Sequence, residues 1–150
     1  MPDQKLVVRI EPRVDALPEL LDRVEAFTEA MTVSSQVAYR LAVVCEELVT
    51  NIAMHGARGA AAATFVEVEI YRDADFLHLS VEDDGRPFDP LTQPPPDTTL
   101  ALDDRKIGGL GIHFARHMVL DISYQRSSGR NHVAAVFDTK EIVPSAIDSD

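Results

Sequence analysis

Apolar residues along the chain change their spacing several times, and each change marks an element boundary. Leu6, Val7, Val8 and Ile10 cluster within Lys5–Glu11, which reads as a strand ended by Pro12, a residue with no amide hydrogen for a ladder. From Asp15 to about Met31, Leu17, Leu20, Leu21, Val24, Phe27 and Met31 recur three and four apart, the repeat of one helix face. Pro18 fits that helix only in its first turn. Val37, Leu41, Val44, Leu48 and Ile52 then repeat at helical spacing, predicting a second helix with Ser34 and Ser35 as N-cap candidates and an end near Gly56.

Beyond the small, glycine-containing segment Ala57–Thr64 the period shortens to two. Val66, Val68 and Ile70 alternate with Glu67, Glu69 and Tyr71, and Phe76–Val81 alternates as well, so Phe65–Arg72 and Phe76–Glu82 are expected to pair as a hairpin across Asp73-Ala74-Asp75. From Gly85 to Ile107 no apolar period survives and prolines recur; a loop of that length inside a compact domain is usually functional. Gly108-Gly-Leu-Gly111 opens a third expected helix, Ile112 to about Leu120. Two further strand-like runs, Asp121–Arg126 and His132–Phe137, flank a turn containing Gly129.

With 150 residues, 45% of them hydrophobic, and without repeats or a second apolar core, the chain is expected to form one domain over residues 1–139, followed by a short acidic tail, 140–150. Fourteen Lys and Arg against 25 Asp and Glu leave a net charge of −11, which repels phosphate backbones and anionic lipid and argues against direct nucleic-acid or membrane binding. The single cysteine, Cys45, falls on an apolar helix face and reads as a small core residue. No basic stretch precedes an apolar run at the N-terminus and no 18-residue apolar run occurs, so a cytoplasmic protein is expected.

Three segments carry chemistry. In Glu46-Glu-Leu-Val-Thr-Asn51, with His55 beyond it, Glu47, Asn51 and His55 are four residues apart and fall on one helix face. A carboxylate one turn from a carboxamide suits a hard cation beside a proton acceptor; a polar helix surface is the competing reading. Val81-Glu-Asp-Asp-Gly-Arg-Pro-Phe88 places carboxylates and Gly85 where a strand runs out. Such a carboxylate accepts from the exocyclic amine of adenine and repels the carbonyl of guanine, although Asp-Gly is also a common turn. Gly108-Gly-Leu-Gly111 at a helix start lets backbone amides approach a phosphate, the alternative being a plain glycine linker. Walker, dinucleotide-binding and protein-kinase signatures are missing.

Taken in order, Glu47-x-x-x-Asn51, Asp83-x-Gly85 and Gly109-x-Gly111 resemble the N, G1 and G2 boxes of the gyrase, heat-shock-chaperone, histidine-kinase and mismatch-repair ATPase superfamily, over roughly residues 5 to 138. The Glu-Leu-Val-Thr-Asn...His-Gly form of the first box is similar to that of the anti-sigma factor serine/threonine kinases of bacterial partner switching, the RsbW/SpoIIAB type. The resemblance implies an α+β fold, a two-layer sandwich with helices on one face of a mainly antiparallel sheet (the Bergerat-type ATP-binding fold), with Gly85–Ile107 as a long ATP lid.

It also implies ATP and Mg²⁺ as cofactors, Glu47 as general base, Asn51 as the Mg²⁺ ligand and Asp83 as the partner of the adenine amine. Gly108, Gly109, Leu110 and Gly111 would hold the phosphates, with Gly85 and His55 in the same nucleotide site. Arg105 and Lys106 are the cations nearest that site in sequence. Two positions depart from the pattern: Pro87 stands where the second G1 glycine would be, and Ile107 precedes the G2 glycines. Implied partners are a STAS-type antagonist phosphorylated on Ser or Thr, a sigma factor, a cognate serine phosphatase and, through the first helix, a second copy in a homodimer. The departures keep a second reading open, an ATP-binding module without kinase activity that controls a phosphatase or response regulator; a detached histidine-kinase fragment fits less well, because no phosphoacceptor helix is present. His113 and His117 have the spacing of metal ligands but no third ligand at matching spacing, and read as ordinary histidines.

Overall fold

A computed structural model describes residues 4–56, 59–92 and 109–140. Among these residues five strands, β1 (Lys5–Ile10), β2 (Val66–Asp73), β3 (Phe76–Asp83), β4 (Asp121–Ser127) and β5 (Arg130–Asp138), form one sheet in the order β1-β2-β3-β5-β4. Every neighbouring pair is antiparallel. The helices are α1 (Leu17–Ala30), α2 (Ser35–Asn51) and α3 (Gly109–Ala115). This is the expected α+β arrangement.

Strand alternation creates the layering. Val66, Val68 and Ile70 of β2, Leu77, Leu79 and Val81 of β3, and Val133, Ala135 and Phe137 of β5 are all buried. They share a core with Leu20 and Val24 of α1 and with Leu41, Val44, Cys45, Leu48 and Val49 of α2. Each fully buried aliphatic side chain contributes about 1.5–3 kcal/mol by leaving water. Residues of opposite parity face outward, where Lys5 meets Glu69 at 2.6 Å and Arg130 meets Glu82 at 2.8 Å; exposed pairs of this kind add little stability.

Local chemistry sets the helix ends. Pro18 lies in the first turn of α1. Ser34 is the N-cap of α2, its Oγ accepting from Val37 N at 3.2 Å. At its other end α2 passes directly into a π-helical turn, Ile52–Gly56, a wider coil that recurs at functional sites. The third helix departs from expectation: it begins at Gly109 and stops at Ala115 rather than running from Ile112 to about Leu120. Its end tightens, with His117 N donating to Phe114 O and Met118 N to Ala115 O. That turn lets Leu120 N reach Val136 O at 2.7 Å and starts the pairing of β4 with β5. Among the described residues no helix is long and apolar enough to cross a membrane.

Candidate functional site

Two strand ends and one helix face build the site. On β3 the inward residues Leu77, Leu79 and Val81 are followed two positions later by Asp83, so the same alternation that fills the core buries a carboxyl at its rim. On β5, counting back from Phe137 through Ala135 and Val133 reaches Asn131, also buried. Asp83 and Asn131 are direct cross-strand partners, and Asn131 Nδ2 donates to Asp83 Oδ1 at 3.1 Å. Gly85 N donates to the same oxygen at 2.8 Å.

A side chain at Gly85 would press on Gly56 O, Ala63 N and Asp83 Oδ1 at 3.0–3.1 Å, so the turn after β3 needs glycine for close approach. Burial raises the Asp83 carboxyl above its ordinary range; the Gly85 amide, Asn131 and Arg126 oppose that rise, and Asp84 adds to it. Asp84 itself turns outward. Its Oδ1 accepts from Thr64 N at 2.7 Å and Phe65 N at 3.3 Å, which ties the loop before β2 to the end of β3.

Helix α2 presents Glu47 and Asn51 one turn apart. Glu46 is exposed, whereas Glu47 turns toward α3 and Asn51 is buried. Burial pushes the Glu47 carboxyl up to about 7, with Asn51 opposing and Glu46 adding. Glu47 Oε2 and Asn51 Nδ2 are buried without hydrogen-bond partners. An isolated orphan of this sort costs about 1–3 kcal/mol, so two side by side mark a place built for something else to bind. The first turn of α3 lies against this pair: a Cβ at Gly111 would overlap the Glu47 carboxylate.

This donor set fits a Mg²⁺-nucleotide. A carboxamide offers one oxygen to a cation and one N–H pair to a phosphate oxygen, and a raised carboxyl beside it accepts a proton. The two halves of the site meet in a small cavity lined by Leu48, Asn51, Asp83, Phe88, Asn131 and Val133, among others.

The structure therefore brings together Glu47, Asn51 and Gly111 at one end and Asp83 and Gly85 at the other, with Gly109 and Leu110 in the first turn of α3. His55 falls in the π turn, and its ring stacks on Phe88 with centroids 5.7 Å apart. Arg105, Lys106, Ile107 and Gly108 lie outside the described residues, as does most of the expected lid. Just before that stretch, Leu91 O accepts from Arg116 just after α3 at 2.7 Å. Cys45 is buried, and its thiol is pushed up to about 12.

Sequence reasoning missed Asn131, together with Tyr124 and Arg126, which bond to it. Starting the last strand at His132 left Asn131 outside it. The inward parity of Val133, Ala135 and Phe137, extended by one step, would have found it.

Residues 10–137 match the family described as histidine kinase-like ATPase domain. The chain is 32% identical over 101 residues, 67% of its length and 70% of the relative's, to the serine/threonine-protein kinase BtrW of Bordetella bronchiseptica. In fold it is similar to the structure of the RsbU and RsbW domains of Rv1364c from Mycobacterium tuberculosis, with a TM-score of 0.62 and 14% identity over 91% of this chain and a third (33%) of that one. It is also similar in fold to the histidine kinase domain of a blue-light activated histidine kinase from Erythrobacter litoralis, with a TM-score of 0.51 and 14% identity over 87% of this chain and 62% of that one. On the span of the family match and its likeness to BtrW, this chain belongs to the histidine kinase-like ATPase domain family.

Proposed function

We propose that the chain is an ATP-dependent serine/threonine protein kinase of the anti-sigma factor type, which phosphorylates a STAS-type antagonist and, when that antagonist is released, holds a sigma factor. The observation that carries this reading is the meeting of Glu47, Asn51 and Gly111 with two orphaned polar atoms at their centre. The name of the relative BtrW, a serine/threonine-protein kinase, supports the same class of reaction. Residues 1–139 act as the kinase domain in this proposal, with 140–150 as tail, a second copy as partner in a homodimer, and a serine phosphatase returning the antagonist to its unmodified state.

Phosphoryl transfer is mostly positioning and charge stabilisation. Asp83, held from one side by Gly85 N and Asn131, accepts from the adenine amine and disfavours guanine. The backbone at Gly109–Gly111 and residues of the preceding segment, Arg105, Lys106 and Gly108 among them, take the phosphates. Asn51 would hold Mg²⁺, which when bound would supply neutralising charge to the phosphates. Glu47 is the general base: its buried carboxyl, with a proton affinity near neutrality, takes the proton of the incoming Ser or Thr hydroxyl. His55, stacked on Phe88, belongs to the same nucleotide site in this proposal.

The test is transfer of the labelled γ-phosphate of ATP to a STAS-type partner. Wild type is expected to transfer label, and Glu47→Gln to keep ATP binding while transfer falls on the order of 10²–10⁴-fold. Undiminished transfer by Glu47→Gln would remove Glu47 from the role of base. ATP binding without transfer to any partner would favour the module that regulates a phosphatase or response regulator by binding alone.

A further inference from the structure

Among the described residues, the Asn131 side chain takes part in five hydrogen bonds at the site. Its Nδ2 donates to Asp83 Oδ1 at 3.1 Å and to Arg86 O at 2.8 Å. Its Oδ1 accepts from Phe88 N at 3.2 Å, Tyr124 Oη at 2.6 Å and Arg126 at 3.2 Å. Arg126 also donates to Gly85 O at 2.7 Å. Two consequences follow from this arrangement. The side-chain amide pairs with the carbonyl before Pro87 and the N–H after it, as a neighbouring strand would, at the one residue that has no N–H of its own. It also occupies Asp83 Oδ1, the same oxygen that Gly85 holds, so both hydrogen bonds to Asp83 among the described residues fall on one side of the carboxylate and leave Oδ2 to recognise a base.

We infer that Asn131 is the positioning residue for base recognition: it orients Asp83 toward the 6-amino group of adenine and, in the same act, holds the Arg86–Phe88 segment in place around Pro87. Tyr124 and Arg126 of β4 complete the bracket by fixing the orientation of the amide. The inference rests on the ATP-site reading above and deepens it, since it assigns discrimination to a residue that would touch no part of the nucleotide's phosphates.

The experiment compares ATP with purine riboside triphosphate, which lacks the 6-amino group, by calorimetry on the full chain. Wild type is expected to prefer ATP about tenfold or more, the worth of a hydrogen bond to a charged acceptor. In Asn131→Leu, close in volume but without the amide, the preference should fall to within about twofold of unity, because ATP loses more affinity than purine riboside triphosphate does. A merely structural role predicts equal loss of both ligands, and that result, or an unchanged preference, overturns the inference.

Tyr124→Phe removes only the hydroxyl that holds Asn131 Oδ1, and keeps the test open if Asn131→Leu does not fold. Its preference should drop roughly two- to fivefold, within the range of a single neutral hydrogen bond, and an unaltered preference in a folded Tyr124→Phe protein counts against the bracket. Failure of the underlying reading looks different: wild type that binds neither nucleotide has no ATP site, and both proposals fall together. Wild type that binds the two equally keeps its nucleotide site but loses the assigned discrimination.

Discussion

Glu47 and Asp83 are both carboxyls raised by burial, yet their surroundings differ. Asp83 has two donors on Oδ1 that oppose its rise, whereas Glu47 has an orphaned oxygen and its rise is opposed by Asn51 alone. The Glu47 shift has a consequence for stability. Because its folded-state proton affinity lies above the unfolded value, the protonated form is favoured by folding. Stability from this group is fully present below about pH 4.5 and is lost as pH rises through about 7. Glu47→Gln is therefore expected to be more stable than wild type at pH 8, by about 1–2 kcal/mol after discounting the group's partial exposure, and closer to wild type at pH 4.5. Thermal melts of the nucleotide-free proteins across that range check it; a gap that does not change with pH would show that Glu47 is not the titrating group. If Glu47 is the base of the proposed kinase reaction, the same proton affinity predicts a rate that climbs with pH up to about 7 and then levels.

Packing at element scale explains why short glycine motifs matter here. The first turn of α3 comes so close to α2 that Gly111 has no room for a methyl group against Glu47. Gly111→Ala must move either α3 or the Glu47 side chain, so transfer activity should fall at least tenfold, on the general sensitivity of positioned groups to displacement of about 1 Å. Single-turnover kinetics with saturating ATP measures this directly, and full activity would mean that the two elements separate freely. At the far end of α2, the Ser34 cap is an ordinary structural device. Ser34→Ala should cost about 1 kcal/mol in denaturant unfolding and leave transfer unchanged, which separates stability effects from effects at the site. Beyond Asn51 the π turn carries His55, whose ring stacks on Phe88.

Across the whole molecule, one continuous core backs both halves of the site, since Leu48 and Val81 flank it and belong to that core. A ligand that spans α2, α3, β3 and β5 binds only the folded chain. Mg²⁺-ATP at about a hundred times its dissociation constant should thus add about 2.7 kcal/mol to stability and raise the melting temperature by several degrees, with less gain for GTP; equal gains would count against base selection by Asp83. The layering was legible from alternation alone. Valines and leucines at period two place one face of β2, β3 and β5 inside, and the helical repeats of α1 and α2 supply the layer that covers them. The acidic segment after β3's alternating run was legible too, and the resemblance of Asp83-x-Gly85 to the G1 box singled out Asp83 within it. Asn131 was not, for its meaning depends on the antiparallel register that sets it opposite Asp83, and register is a relation between segments 48 residues apart. The contact between Gly111 and Glu47 has the same origin. The sequence by itself determined which faces are apolar and which short segments carry reactive groups, because periodicity and residue chemistry are local. Only the tertiary structure decided which of those groups meet, which carboxyl loses its solvent, and which amide braces the chain around Pro87, because burial and hydrogen bonding at the site are set by strands and helices from distant parts of the chain.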